Sequence, residues 1–322
     1  MKLINSSFSS RYTQHISEGR ESMLQEYISY LQEQGKSKNT IISYTNDLNS
    51  FFHELNINYD GYVTAADIRK WIDSMLNPID HKPFAISTIN RRINSLRSFY
   101  SWTNLNNNPM KDIQDLKTAD EDNEKIMWLT EEEFESMLNI LRKKPVKSRG
   151  VNPEEKYRRD RAIIYLLTYA GLRVDELSNL KLTDIDLDMK RIRIVGKGMK
   201  VRTVPISNTL LVEIKDWLNY RAEMAKQKQH VADSHYIFYS QRSPKFTVRG
   251  IQTMIEGYSL PKKKLTPHMF RHTFCKWMLK ATNNDIEKVR RLAGHSNIAT
   301  TSRYLKDSYS DLADAVDAMP KF

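Results

Sequence analysis

RIRIVGKGMKVRTVP, residues 191–205, breaks the helical rhythm of the chain around it. RIRIV and VRTVP alternate apolar with polar positions and are rich in β-branched residues, while GKGMK separates them. The pattern predicts a β-hairpin with a glycine-bounded basic tip. Outward from the hairpin, apolar residues recur at helical spacing instead. Helices are expected from about Leu210 to Arg221, Val248 to Ile255, Pro267 to Leu279 and Asp285 to Ala293. Upstream, Thr130 followed by Glu131, Glu132 and Glu133 has the form of a capping box ahead of Phe134, Leu138 and Leu141. A basic polar loop (RKKPVKSRGVNPEEKYRR, 142–159) then leads to an apolar helix, AIIYLLTYA, that stops at Gly171.

Further upstream the helical periodicity continues. A first helix through Met23, Leu24, Tyr27, Ile28 and Leu31 ends at Gly35. A second carries Ile41, Tyr44, Leu48, Phe51, Phe52 and Leu55, and a third, Thr64 to Leu76, turns Ile68, Trp71 and Ile72 inward. The fourth starts near Ser87, with Ile89, Ile93, Leu96 and Tyr100 on one face and Asn90, Arg91, Asn94, Arg97 and Ser98 on the other. Four amphipathic helices with short links make a small bundle. Its polar positions, with Lys36, Lys38 and Asn39, suit phosphate and groove contact as well as plain solvation.

The expected fold is mainly α with a small β-sheet: an N-terminal four-helix domain, then a mixed, mostly helical domain. Residues 1–18 are expected as a flexible leader, 19–110 as the helical domain and 111–127 as a linker, because DIQDLKTADEDNEK (112–125) is acidic and lacks a core pattern. The second domain should run over 128–305, followed by a tail over 306–322. No internal repeat is visible.

Forty percent hydrophobic and 28% charged residues are ordinary for a globular chain and exclude wholesale disorder. The net charge of +11, with a pI of about 9.4, favours a polyanionic partner, nucleic acid before an acidic membrane surface. Cys275 is the only cysteine, which excludes an intrachain disulfide and a cysteine-based zinc site. No apolar run approaches membrane-spanning length and the N-terminus has no secretory h-region, so a cytoplasmic location is expected.

AGLRVDELSNL (170–180), GKGMKVRTVPI (196–206), TPHMFRHTFCKWM (266–278) and LAGHSNIATTSRYL (292–305) occur in that order. They resemble the first arginine box, the lysine-bearing hairpin, the His-x-x-Arg box and the Gly-His and nucleophile box of the tyrosine recombinase (lambda-integrase-like) family. Tyr304 follows His295 by nine residues, as that family spaces them. The resemblance spans roughly 128–305, and the N-terminal helices resemble the family's core-binding domain more loosely. Ala293 stands where the family often has a bulkier residue.

The resemblance implies a site-specific recombinase that cuts DNA through Tyr304 and uses Arg173, Lys197, His268, Arg271 and His295 around the phosphate. Stabilising a pentacoordinate phosphorane without a metal calls for groups that neutralise nonbridging oxygens, and a guanidinium offers planar, paired donors for this. Arg173 and Arg271 are the candidates. Glu176, three residues after Arg173 on a short helix, is expected to orient Arg173 or His268, or else to be an exposed capping acid. Lys197, between Gly196 and Gly198, would protonate the leaving 5′ oxygen. Lys200 and Arg202 are expected to contact the DNA backbone, as are Lys36, Lys38, Asn90, Arg91 and Arg97.

His268 and Arg271 share a helix face just past Pro267, and His268 is expected to help deprotonate Tyr304 or to hydrogen-bond the phosphate. His272, turned away from Arg271, is expected to be structural or a DNA contact. His295 would donate to a nonbridging oxygen. A phenol has a pKa near 10, so Tyr304 needs a base and nearby positive charge; Tyr309 and Tyr258 are the other candidate nucleophiles. The 3′-phosphotyrosyl link would conserve bond energy, so no cofactor or metal is implied.

The partners implied are double-stranded DNA with inverted half-sites and further copies of the chain, two per site and four in synapsis. Two domains would form a C-shaped clamp on the duplex. Leu312, Val316 and Met319 would let Ser310 to Met319 form a tail helix that docks on a neighbouring subunit or on its own domain. Integration and excision of a mobile element, cointegrate resolution and Xer-like dimer resolution all fit. A type IB topoisomerase and a DNA-binding regulator with a dead site are the competing classes.

Overall fold

The computed structural model describes residues 23–56, 63–104, 107–117, 127–143, 152–196, 200–241, 243–295 and 297–305. The chain divides into two units, Met1–Glu124 and Lys125–Phe322. In the first, α1 (residues 23–33) closes on Gly35, whose φ of +65° lets the backbone N–H groups of Gly35 and Lys36 return to Gln32 and Leu31. α2 (Lys38–Glu54) is capped by Ser37, α3 (Ala65–Leu76) by a reciprocal Thr64–Asp67 box, and α4 is Ile86–Trp102.

Their stripes meet in one core built on Tyr27, Leu31, Phe51, Trp71, Met75, Ile93 and Phe99. One charge is buried with them: Asp47 accepts from Ser95 at 2.7 Å and pairs with Arg91, so α2 and α4 are pinned by a polar contact as well as by packing. Ile113 also enters this core and Leu116 packs on it, although the surrounding acidic stretch reads as linker. Asn90 supplies the reason. Its amide donates to the Leu116 carbonyl at 2.9 Å and accepts from the Leu116 N–H at 2.8 Å, fastening the segment to α4.

In the second unit, the expected Thr130 box forms with Glu133 and opens α5 (Glu131–Lys143). α6 (Pro153–Tyr169) begins well before the apolar run expected of it. Asn152 caps it, Pro153 occupies its first turn and the Glu154–Arg158 pair supports the polar start, so PEEKYRR is helix rather than loop. α7 (Val174–Ser178) follows Gly171. The hairpin is present as β2 (Arg191–Val195) and β3 (Val201–Pro205), with a short β1 (Ile185–Asp186) added antiparallel to β2, giving the order β1-β2-β3.

Ile192 and Ile194 face the core, as does Val204 opposite Ile192. α8 (Asn208–Gln227), α9 (Gln229–Ala232) and α10 (Val248–Glu256) follow, and then α11 (Pro267–Ala281), α12 (Ile286–Ala293) and α13 (Ile298–Ser302). The last three close a small core of Phe274, Cys275, Leu279, Val289, Ala293 and Tyr304. Among the described residues no helix is long and apolar enough to cross a membrane. Lys197, Tyr309, residues 1–18 and Ser310 to Met319 lie outside the described residues.

Candidate active site

The chain reverses at two left-handed glycines, and the carbonyls around them hold both candidate arginines. Gly171 has φ +60° and Gly294 has φ +68°, a region where a side chain strains the backbone. Arg271, 4% exposed on α11, donates to the carbonyls of Gly171 and Ala293, the latter at 2.6 Å. Arg173, at the N-cap of α7, donates to the Gly294 carbonyl at 2.9 Å and to Glu176 Oε1 at 3.0 Å. The two arginines are thus anchored on the carbonyls of neighbouring residues, Ala293 and Gly294.

Glu176 is buried and holds Arg173 rather than His268. Its Oε2 accepts the Arg173 backbone N–H at 2.8 Å, and both its oxygens take the fork of Arg202 at 2.7 and 2.8 Å. Burial pushes its carboxyl up, and Arg202 and Arg173 together hold it below the usual carboxylate range. Arg202 therefore braces Glu176, and the expected DNA contact for it is corrected. Its guanidinium is spent on Glu176 and the Leu292 carbonyl, and its side chain is mostly covered. The reason is register: Arg202 lies opposite Ile194 and two residues from Val204, on the inward side of β3. Strand alternation already carried that signal.

The histidines divide differently from expectation. Tyr304 is 5% exposed, and its hydroxyl lies 2.5 Å from Nδ1 of His272, not on His268. His268 stacks on His272 with ring centroids 6.3 Å apart. Among the described residues it has no hydrogen bond to the phenol. Burial, then Arg271 and Arg173, push the His268 pKa down. His272 falls to about 4, from burial first and then His268, Arg271 and Arg303. His295 also falls to about 4, from burial and then the Arg271 and Arg173 charges; its Nδ1 pairs with the Thr301 hydroxyl at 2.8 Å.

Burial likewise brings Arg271 to about 10, helped by Arg173. It pushes the Tyr304 phenol well above its ordinary value. Cys275, raised to about 11 by burial, hydrogen-bonds the same phenol. The roles of His272, Thr301 and Cys275 were missed. His272 follows His268 by four residues and precedes Cys275 by three, a helical spacing that places the three on one face.

Tyr258 donates to buried Asp160 at 2.7 Å and is a core tyrosine, buried in the larger cluster of the second unit rather than with Tyr304. Lys200 is exposed beside the hairpin tip, where its carbonyl accepts the Gly196 N–H at 2.8 Å. In the first unit, Lys36 and Lys38 are exposed. An open groove of about 670 Å³ there is lined by Tyr44, Asn90, Arg91, Asn94 and Arg97 among others. Arg97 reaches Asp115 at 3.0 Å and the Ile113 carbonyl at 3.1 Å. Asn90 lines that groove while one amide N–H and its oxygen hold the Leu116 backbone, leaving a second N–H and a second lone pair.

Residues 127–311 match the model of the phage integrase family, and residues 24–105 match that of the phage integrase N-terminal SAM-like domain. The chain belongs to the phage integrase family. It is a tyrosine recombinase, an enzyme that breaks and rejoins DNA strands. Within the family it is 32% identical over 304 residues to the tyrosine recombinase XerA of Pyrococcus furiosus, covering 92% of this chain and 94% of that one. It is 28% identical to the tyrosine recombinase XerC of Roseiflexus sp., with 90% of each chain covered. The fold is shared with the Tn1549 transposon integrase in complex with transposon right-end DNA, at a TM-score of 0.66 and 22% identity over 91% of this chain and 98% of that one.

Proposed function

We propose that the chain cuts DNA by attack of Tyr304 on the scissile phosphate, leaving a 3′-phosphotyrosyl link and a free 5′ hydroxyl. The observation that carries this is charge. Three guanidiniums, Arg173, Arg271 and Arg202, meet around the Glu176 carboxylate, which hydrogen-bonds two of them, beside a buried tyrosine. Such a corner lacks an anion, and a phosphodiester supplies one. Arg173 and Arg271 neutralise its nonbridging oxygens from positions their carbonyl anchors have already fixed. His295, with Nδ1 engaged by Thr301, keeps Nε2 to donate to an oxygen, and His268 donates beside Arg271. Lys197 is the acid for the 5′ oxygen. Rejoining reverses these steps on a new strand.

Lys36, Lys38, Arg91, Arg97 and Lys200 supply salt-sensitive backbone affinity, consistent with the +11 charge. Copies of the chain pair on inverted half-sites and assemble as tetramers in synapsis, in the cytoplasm. Integration and excision of a mobile element, or resolution of a replicon, is the activity this machinery serves. The XerA and XerC identities over nine-tenths of the chain favour, as the second reading, resolution of chromosome or plasmid dimers. A plasmid carrying two directly repeated sites and a pair of single-site circles separate integration from resolution: joining of the circles supports integration of a mobile element, whereas resolution without joining supports a resolution role.

A nicked suicide duplex, incubated with wild type and with Tyr304→Phe, tests the chemistry. A covalent protein–DNA adduct is expected from wild type alone and in EDTA. An adduct with both proteins would move the nucleophile elsewhere, Tyr309 first.

A further inference from the structure

The Tyr304 proton must have a destination, and of the two side chains that hydrogen-bond the phenol, His272 and Cys275, the thiol, raised to about 11, already carries its own proton. His272 Nδ1 lies 2.5 Å from the phenol oxygen, and the ring planes meet at 47° with centroids 5.6 Å apart. The groups facing this corner are His268, Arg271 and Cys275 from α11, His295 after α12, and Arg303 and Tyr304 after α13. No carboxylate is among those facing groups. Arg303 and Arg271 are cations and cannot accept a proton, while His295 is paired with Thr301. We propose that His272 is a catalytic residue, the general base that accepts the Tyr304 proton during cleavage and returns it during rejoining. This rests on Tyr304 being the nucleophile.

In the cleavage step the Tyr304 O–H bond breaks as the phenol oxygen bonds to phosphorus. The proton moves to His272 Nδ1, and the bond from phosphorus to the 5′ oxygen breaks, that oxygen taking a proton from the general acid. A neutral ring facing an O–H accepts at Nδ1 and carries its own proton on Nε2, and His272, lowered to about 4, is neutral near pH 7. Burial disfavours a free phenolate, so transfer accompanies attack rather than preceding it. The phosphate anion, seated between Arg173 and Arg271, offsets the cationic field that holds His272 neutral, and its ability to take the proton rises when substrate is bound. His268, stacked on the other side, is thereby left to the phosphate.

The test uses a nicked duplex bearing the site the full chain selects from a randomised pool, with sulfur at the bridging 5′ position. A thiolate leaves without a proton, so the single-turnover rate of adduct formation reports the tyrosine side alone. Wild type, His272→Ala and His272→Asn are compared from about pH 5 to about pH 10, with DNA binding measured alongside. Asn keeps an acceptor near the Nδ1 position and cannot store a proton.

Both variants should bind DNA as wild type does and lose about 100-fold in rate near pH 7. Their rates should climb about tenfold per pH unit as hydroxide replaces the base, while the wild-type rate levels off. Added imidazole should raise the His272→Ala rate. A His272→Asn enzyme with the wild-type rate and pH profile overturns the base assignment, even if His272→Ala fails to fold. A wild-type enzyme that forms no Tyr304 adduct removes the nucleophile and this inference together, whereas adducts formed at equal rates by all three proteins remove only His272.

Discussion

Gly171→Ala is the substitution whose cost the structure specifies most completely. At φ +60° an alanine pays an expected 1–2 kcal/mol, roughly, for the left-handed backbone. Its Cβ would sit 2.3, 2.6 and 2.8 Å from Cδ1, Cε1 and Cγ of Phe274, well inside contact distance. Because the overlap reaches Cγ, rotating the ring about its own axis does not relieve it. Phe274 is 3% exposed and packed with Cys275 and Tyr304, so the ring has nowhere to go, and forced repacking adds about 1–3 kcal/mol. Alanine's stiffer unfolded chain returns about 0.4–1 kcal/mol. The net loss is about 3 kcal/mol.

Cys275, the only cysteine and fully buried beside Phe274, provides the assay. Its labelling by a short thiol-reagent pulse across a urea series reports opening of the second unit without interference from the first. With a urea slope of about 2 kcal/mol/M, the midpoint should fall by about 1.5 M. Gly35→Ala, at φ +65° with nothing within 4 Å of an added Cβ, shows the backbone term alone; Trp71 fluorescence should register only about 1 kcal/mol. A Gly171→Ala midpoint within about 0.3 M of wild type, at unchanged slope, would refute the clash and the rigidity it presumes.

Glu176→Gln replaces one oxygen with a donor facing Arg202, leaving that guanidinium half-paired. The thiol-pulse midpoint should show a loss of roughly 3 kcal/mol, and adduct formation should fall with it. Arg173→Ala or Arg271→Ala should keep DNA binding in a mobility-shift assay and lose most cleavage, at least about 100-fold; wild-type-like cleavage by either would overturn the site. Acid should weaken the second unit. His272 and His295 have folded pKa values of about 4, below their ordinary value of 6.5, so the unfolded chain binds their protons first. No stability is lost above pH 6.5; it declines from there toward pH 4 and then levels off, by roughly 3 kcal/mol at most for His295 and less for part-exposed His272. Urea midpoints measured across that range would check the window, and His295→Gln should flatten part of the decline.

Much of the fold was legible because its signals are local. The Thr130–Glu133 box, the helix start at Thr64, the Gly35 stop and the RIRIV/VRTVP alternation each act over a few residues, and each appears where the sequence reading put it. The start of α6 was not legible from apolar spacing, since its first two turns are polar and held by a cap and an ion pair. β1 is two residues long and pairs only because β2 is already there.

The sequence by itself determined most of the long elements, the order of the four motifs and which residue types carry the chemistry. Tyr304, Arg173, Arg271 and His295 were named by the resemblance of those motifs to the family, and their chemical type agrees with the roles it implies. Only the tertiary structure decided which of them touch. Contacts between residues 100 or more apart, such as Arg271 with the Gly171 carbonyl and Arg173 with the Gly294 carbonyl, follow from how α7, α11 and α12 pack. The same packing turned Arg202 from the DNA to Glu176 and gave the Tyr304 hydroxyl to His272 rather than His268. A helix face spans about 100°, wide enough to hold both histidines. Which one meets the phenol depends on where the chain after α13 returns, and no local propensity encodes that distance.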